Sequence, residues 1–300
     1  MAEAREFAAE RRPVALVGAL IALTKQKQTI LLLVTGVGAY ALTLPGAIVW
    51  PQALLGALSL WLSVSGCTVL NMVLDRDIDA KMARTATRPL PMGELSVRSA
   101  VIYGLALSLP GLALAWSLGA TFGAVVTAGF AIDFVVYTAW LKRRTPLSIL
   151  VGGVSGGMPA LAGRALAHGH IDLVGILLAA GVLLWIPAHI LTLAMRRSDE
   201  NRAAGVPAWP SVYGPTATRR LIAGSSIVGA CTLFAAGWLL RIPAAPLALL
   251  ALLGLVLCAL AIGGLLRPSD RHDWALFKAA SIYMASSFGC LVVGAALVAG

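Results

Sequence analysis

Apolar runs of about 20 residues recur along the whole chain, parted by short polar stretches, and that spacing leaves few folds open. A helix rises about 1.5 Å per residue, so about 20 apolar residues cross the hydrocarbon core of a bilayer. Backbone polar groups find no water there and must pair within the segment, which makes each run helical. Nine spans are read, over residues 28–44, 47–70, 97–117, 119–141, 147–167, 171–195, 219–240, 243–266 and 275–299. With 59% hydrophobic and 12% charged residues, the chain lies outside the composition of soluble domains. The expectation is one all-α integral membrane domain over residues 1–300, a bundle of nine transmembrane helices. Residues 1–24 read as a basic cytoplasmic segment that lacks the apolar core and cleavage site of a signal peptide.

A formal charge of +10 invites a nucleic-acid reading, but its distribution points to the lipid bilayer instead. Basic residues gather in the N-terminal segment and after the second, fourth, sixth and eighth spans. Of the 23, all but Arg164 and Arg241 fall on that one side. The positive-inside rule then places the N-terminus in the cytoplasm and the C-terminus outside, as in a multi-pass protein of the cell membrane. Cys67, Cys231, Cys258 and Cys290 lie within apolar spans, unlike a metal-ligand pattern, and read as packing thiols.

Polar chemistry concentrates at the end of the second span, in Asn71-Met72-Val73-Leu74-Asp75-Arg76-Asp77-Ile78-Asp79. Residues four apart share a helix face, so Asn71, Asp75 and Asp79 point one way and Asp77 roughly the other. Stacked carboxylates repel unless a cation sits between them. Magnesium favours oxygen ligands and bridges carboxylates to phosphates, so the pattern reads as a metal and phosphate cradle. Arg84, Arg88, Lys142 and Arg143 supply cations for a diphosphate that is bound and then leaves. Asp199 and Glu200, in the loop over 196–220, repeat the order of acids, arginine and proline, and form a second set. The bland alternatives are a solvated helix end for the first group and surface pairing with Arg196 and Arg197 for the second. The loops over 71–98 and 196–220 are expected to face each other across one mouth, above an apolar chamber suited to a prenyl tail.

Three further features sit inside spans. Asp133 is an intramembrane acid, with Tyr137 one turn later on its face; it lines the chamber or bonds a neighbouring helix. His189 follows Pro187 near the inner end of the sixth span, where packing and ligand roles both fit. Pro110, Pro159, Gly152-Gly153 and Gly156-Gly157 permit kinks and close helix approach.

Taken together these residues resemble the UbiA superfamily of intramembrane aromatic prenyltransferases, and within it the haem O synthase (protohaem IX farnesyltransferase) branch. The resemblance rests on Asn71-x-x-x-Asp75-Arg76-Asp77-Ile78-Asp79, Met82, Arg84-Thr85 and Arg88-Pro89-Leu90. It continues through Leu23-Thr24-Lys25, Tyr137-Thr138, Trp140-Leu141-Lys142-Arg143, Thr145-Pro146, His189, Glu200 and Tyr213-Gly214. It implies a UbiA-like nine-helix fold with a cytoplasmic active site. Magnesium would be bound by Asn71, Asp75, Asp79 and the second acidic set. Lys27, Arg84, Arg88, Tyr137, Lys142 and Arg143 would hold a prenyl diphosphate, farnesyl diphosphate in this branch. The acceptor implied is haem b, with His189 holding it, and the product haem O. The chain departs from the branch's pattern at Gln26-Lys27, Arg164, Ala188, Ile190-Leu191 and Glu200-Asn201. Another acceptor, such as a quinone precursor or a lipid, is therefore the alternative. A phosphatidyltransferase would need an Asp-Gly and an Ala-Arg before Asp75, and a transporter would place ion ligands near the bilayer midplane.

Overall fold

The computed structural model describes residues 13–42 and 48–299. The basic residues Arg5, Arg11 and Arg12 lie outside the described residues, as does the end of the first span over 43–44. Residues 13–23, read as part of a basic segment, form helix α1, Pro13–Leu23, whose composition is apolar throughout. It meets α2, Gln26–Ala41, at 47°. The bend is made at Lys25, which takes left-handed dihedrals (φ 44, ψ 54). A non-glycine residue there carries a backbone cost of about 1–3 kcal/mol that surrounding contacts must offset.

The remaining long helices are α3 (Trp50–Leu74), α4 (Val97–Leu118), α5 (Ala120–Ala131), α6 (Ser148–His168), α7 (Leu173–Ile186), α8 (Trp209–Leu239), α9 (Ala244–Leu266) and α10 (Asp270–Ala299). Helix α5 continues as a π-helix over Ile132–Leu141, and α7 continues as a π segment over Pro187–Leu191 and then an α turn over Thr192–Met195. Among the described residues eight helices are long and apolar enough to cross a membrane, or nine if α1 and α2 form one bent span. This is a multi-pass membrane protein. Its outward faces agree, since Leu54, Leu109, Trp238 and Leu255 are more than half exposed, as lipid-facing side chains must be.

Two boundaries differ from the sequence reading by five residues or more. The seventh span begins at Trp209 instead of 219, with the chain broken inside it at Gly214 (φ 77, ψ 174) ahead of Pro215. The last span begins at Asp270 instead of 275. Asp270 and Asp273 sit in its first turn, where acids suit the helix dipole, and Asp273 forms a buried fork with Arg219 of α8 at 2.6 and 3.1 Å.

Helix α6 joins the two halves of the bundle. It packs against α2 and α5 on one side and α7 on the other, while α8, α9 and α10 complete the second half. Its small residues make this possible. A methyl group on Gly163 would overlap the Gly36 carbonyl oxygen of α2, and one on Gly157 would overlap the Ala179 carbonyl of α7. Without water to drive association in lipid, such close backbone approach supplies the packing attraction between helices. At the end of the bundle opposite the Asn71 motif, buried Arg164 forms a fork with Asp172 at 2.6–2.9 Å, and Asp172 also caps α7 through the Gly175 amide. Gly163→Ala should therefore lower thermal stability by about 1–3 kcal/mol. Gly224→Ala, where a methyl group meets nothing within 4 Å, serves as the control. Equal melting temperatures for the two variants in one detergent would refute the close α2–α6 seam.

Candidate active site

The Asn71 motif straddles the end of α3. Asp75 ends that helix (φ −87, ψ −1), and a short helix, Arg76–Asp79, starts at once. Helical bonding runs through the junction, with Asp75 N donating to Asn71 O at 2.9 Å and Asp79 N to Asp75 O at 2.8 Å. The faces are as the spacing predicts. Asn71, Asp75 and Asp79 are buried, while the Asp77 side chain is 59% exposed.

Each buried carboxylate has a cation from elsewhere in the chain. Lys142 Nζ lies 2.5 Å from Asp75 Oδ2, and Arg88 Nη1 lies 2.6 Å from Asp79 Oδ2. Burial alone would push the Lys142 ammonium down, but Tyr137 and the Asp75 carboxylate hold it above its ordinary value. The Tyr137 ring also faces the ammonium, 5.6 Å from its centroid. On the outer side Arg143 forks onto Asp77 at 2.6 and 2.7 Å and onto the Leu74 carbonyl at 2.6 Å. That bidentate bond holds the Asp77 carboxyl down at about 2. Arg143 thus clamps the loop after Leu141 to the end of α3.

The second polar loop meets the first. Arg84 N donates to Glu200 Oε1 at 3.4 Å, and Ile78 and Met82 share a small apolar cluster with Ala204 and Val206. Glu200 is therefore the member of the second acidic set that faces the first motif. Asp199 points away, with its side chain 93% exposed and paired to Arg202 at 3.1 Å. Loops after the second, fourth and sixth spans close over one mouth.

Beneath the mouth lies a chamber of about 520 Å³. Apolar groups such as Leu31, Val126, Phe130 and Met158 line it, together with Lys27, Cys67, Asp133, Tyr137 and His189. Both π segments border it. The wide turn over Ile132–Leu141 brings Asp133 and Tyr137 to its wall, and the one over Pro187–Leu191 brings His189. Such segments recur at functional sites because they re-aim side chains without breaking the helix. Asp133 accepts from Asn71 Nδ2 at 2.7 Å and from Cys67 Sγ at 3.3 Å, so it orients Asn71 as well as lining the chamber. His189 is sandwiched between Trp185 and Phe277, each ring centroid 4.7 Å away, and its Nδ1 meets Ser281 Oγ at 3.1 Å. Both ring faces are covered, which leaves Nε2 as the atom available to a ligand.

Lys27 is exposed and lines the chamber. The lysine whose charge the mouth feels is Lys25, attracted by Asp75 and Asp79 and repelled by Arg88 and Lys142. The sequence reading used Lys25 only as part of a matching motif. Its left-handed backbone makes the bend between α1 and α2 and is invisible in the residue pattern.

Residues 31–287 match the model of the UbiA prenyltransferase family. This chain belongs to that family. It is 44% identical over 209 residues to a protoheme IX farnesyltransferase of Korarchaeum cryptofilum, covering 70% of each chain. It is 40% identical over 281 residues to one of Thermofilum pendens, covering 91% of this chain and 97% of the relative. The fold matches that of a UbiA homolog from Archaeoglobus fulgidus bound to DMAPP and Mg2+, with a TM-score of 0.68 at 18% identity over 91% of this chain and 99% of that one. The UbiA resemblance is thereby established, and this UbiA-family prenyltransferase is neither the transporter nor the phosphatidyltransferase considered from sequence.

The Asn71–Asp133 bond separates two substitutions. Asp133→Asn keeps an acceptor for Asn71 Nδ2 and should cost little stability. Asp133→Leu leaves that buried amide donor with only the weak 3.9 Å contact to Cys67 Sγ and should cost about 1–3 kcal/mol. Thermal melting of both variants would decide it, and indistinguishable melting temperatures would show that the bond carries no stability.

Proposed function

We propose that this protein transfers a farnesyl group from farnesyl diphosphate to haem b, with Mg2+ bound at Asn71, Asp75, Asp79 and Glu200, giving haem O. The observation that carries this reading is the closure of three polar loops, acids and bases interleaved, directly above an apolar chamber. Relatives that cover nearly the whole chain are named protoheme IX farnesyltransferases, which supports haem as acceptor. The basic loops favour a mouth on the cytoplasmic side, with the N-terminus inside and the C-terminus outside.

The residues present suit magnesium. Among the described residues no three His, Cys, Asp or Glu side chains converge into a closed cage. Instead, Asn71 Oδ1 and Asp75 Oδ1 are buried without a hydrogen-bond partner. Two orphaned oxygens one helical turn apart, with Asp79 beyond, form an open all-oxygen set, and magnesium completes such sets with phosphate and water. When bound, the metal would neutralise charge on the diphosphate oxygens.

The chain's own residues then divide the work. Lys142 and Arg88 are already aimed at the mouth by Asp75 and Asp79, and with Arg84 and Lys25 they bind the diphosphate and stabilise it as the leaving group. The allylic C–O bond breaks and pyrophosphate departs with the electron pair. The chamber wall, with Phe130 and Tyr137, holds the prenyl chain away from bulk water. A haem vinyl carbon forms the new C–C bond to the allylic carbon, water adds to the resulting cation, and a proton is lost. In this reading His189 Nε2 holds the acceptor. Asp199, turned outward, has no part in this scheme; it was expected in the metal set and is left out on grounds of placement.

Purified protein incubated with farnesyl diphosphate, Mg2+ and haem b should yield a hydroxyethylfarnesyl porphyrin by mass analysis. An unmodified porphyrin beside a prenylated quinone precursor or lipid would instead favour the alternative acceptor. Asp75→Asn and Asp79→Asn should each lower magnesium-dependent transfer by at least about 100-fold, in the range of lost electrostatic stabilisation. Asp199→Ala should change it by less than about twofold, as a surface pair does. Near-normal turnover in either of the first two variants, measured on folded protein, would contradict the assignment.

A further inference from the structure

A second depression of about 560 Å³ opens at the same end of the bundle, lined by Leu193, Arg196, Arg197, Asp270, Arg271 and Trp274. Its charges differ in kind from those of the mouth. There, Lys142, Arg88 and Arg143 each have a carboxylate partner. Here, among the described residues, none of Arg196, Arg197 and Arg271 has a carboxylate within ion-pairing distance, and Asp270 is the lining's one acid. Three unmatched guanidiniums in one concavity favour an anion, and their planar forks suit carboxylates in particular.

The depression is also joined to the chamber by side chains. Trp274 stacks on Phe277 at 5.0 Å, Phe277 on His189 at 4.7 Å, and His189 on Trp185 at 4.7 Å. Trp185 and His189 line the chamber, Trp274 lines the depression, and Arg196 lies over the Trp274 ring at 5.0 Å. The four-ring stack makes one continuous rigid wall, apolar at one end and capped by arginines at the other.

We infer that this depression binds the carboxylates of the prenyl acceptor, so that an acceptor with one apolar and one acidic edge lies along the ring stack with its apolar edge in the chamber. The inference rests on the prenyl-transfer reading and names the chemical class of acceptor that the site selects: a flat, conjugated molecule bearing carboxylates. It explains how one chain separates two acidic ligands. The diphosphate goes to the mouth, where paired acids and an open oxygen set supply a metal-assisted site. The carboxylates go to the unmatched arginines, where no metal is needed.

The test uses the full chain in lipid nanodiscs and reads binding apart from turnover. Haem b and its dimethyl ester, in which both propionates are blocked, are titrated by absorbance against wild type and an Arg196→Gln/Arg271→Gln double variant. Wild type should bind the free acid about tenfold or more tighter than the ester. The double variant should bind both forms alike, at the affinity of the ester, with the KM for farnesyl diphosphate unchanged. Equal wild-type affinities for acid and ester would overturn the inference without needing any variant, even if haem b is prenylated. A variant that keeps the discrimination while losing its enrichment of anionic phosphatidylglycerol would mark the depression as a lipid-headgroup site, and also overturns it. A wild type that discriminates acid from ester yet transfers no prenyl group supports the depression's role and defeats only the parent reading. No saturable haem b binding defeats both.

Discussion

Carboxylates placed at the rim of an apolar bundle must stay ionised to bind a metal, and the cost of burying them organises this structure. Asp75 and Asp79 are nearly inaccessible, and an unpaired charge there would be expelled or neutralised. Each is met by a cation that the chain delivers from a different place. Lys142 arrives from the loop after the π-helical end of α5, and Arg88 from the turn that follows the motif itself. These pairs do more than balance charge. They pin the loop after Leu141 to the end of α3, and the Arg143 fork onto Asp77 and the Leu74 carbonyl doubles that attachment. A buried pair contributes little net stability against an apolar replacement, but losing one partner is expensive because the other is then left bare. The mouth is therefore held in place by the groups that a diphosphate and a cation would engage, and substrate binding exchanges partners within a set that is already assembled.

Chamber and mouth depend on different physics. The mouth is held by charge at a polar boundary, the chamber by close backbone contact where charge cannot serve. Helix α6 carries Gly157 and Gly163 against the carbonyls of α7 and α2, and so brings the two halves near enough to enclose a cavity. The Arg164–Asp172 fork closes the opposite end. Between these ends the two π segments widen the helices locally and turn Asp133, Tyr137 and His189 inward. Asp133 links the two regimes, because its carboxylate lies in the chamber wall while its bond to Asn71 frees Asn71 Oδ1 to face a metal.

Much of this was legible because it follows from spacing. Hydropathy located the spans, and residues four apart on a helix placed Asn71, Asp75 and Asp79 on the buried face and Asp77 outside, even though the helix ends and restarts at Asp75. The matching order of acids and arginines in two loops foretold their meeting, realised between Arg84 and Glu200. What escaped depends on backbone geometry that no residue pattern announces. The left-handed turn at Lys25 bends the chain between α1 and α2. Asp199 and Glu200 are adjacent in sequence and alike in charge, yet only the helical phase of Ser198–Ala203 decides which faces the mouth. The break at Gly214 lies within a stretch too polar to count as a span, so the start of α8 could be found only from coordinates.

In the proposed reaction the two halves of the bundle have separate tasks. Every buried carboxylate–cation pair at the mouth comes from the segment that ends with Lys142, so the donor's charged head is governed by the first half. His189, Trp185, Phe277 and Trp274, by contrast, all belong to α7 and α10 and the turns attached to them. Of the positions where this chain departs from the haem branch, Ala188 and Ile190-Leu191 flank His189 and lie on that same second half, while Gln26-Lys27 lie on α2 and Arg164 on α6. In the proposed scheme, substitutions around the ring stack would reshape the acceptor's seat without touching the cations that release pyrophosphate. In the proposed role of His189 the stack sets a geometric filter: with both faces of the imidazole covered, an acceptor would meet it edge-on at Nε2. That favours a flat molecule held at its rim over one that must lie against an aromatic face.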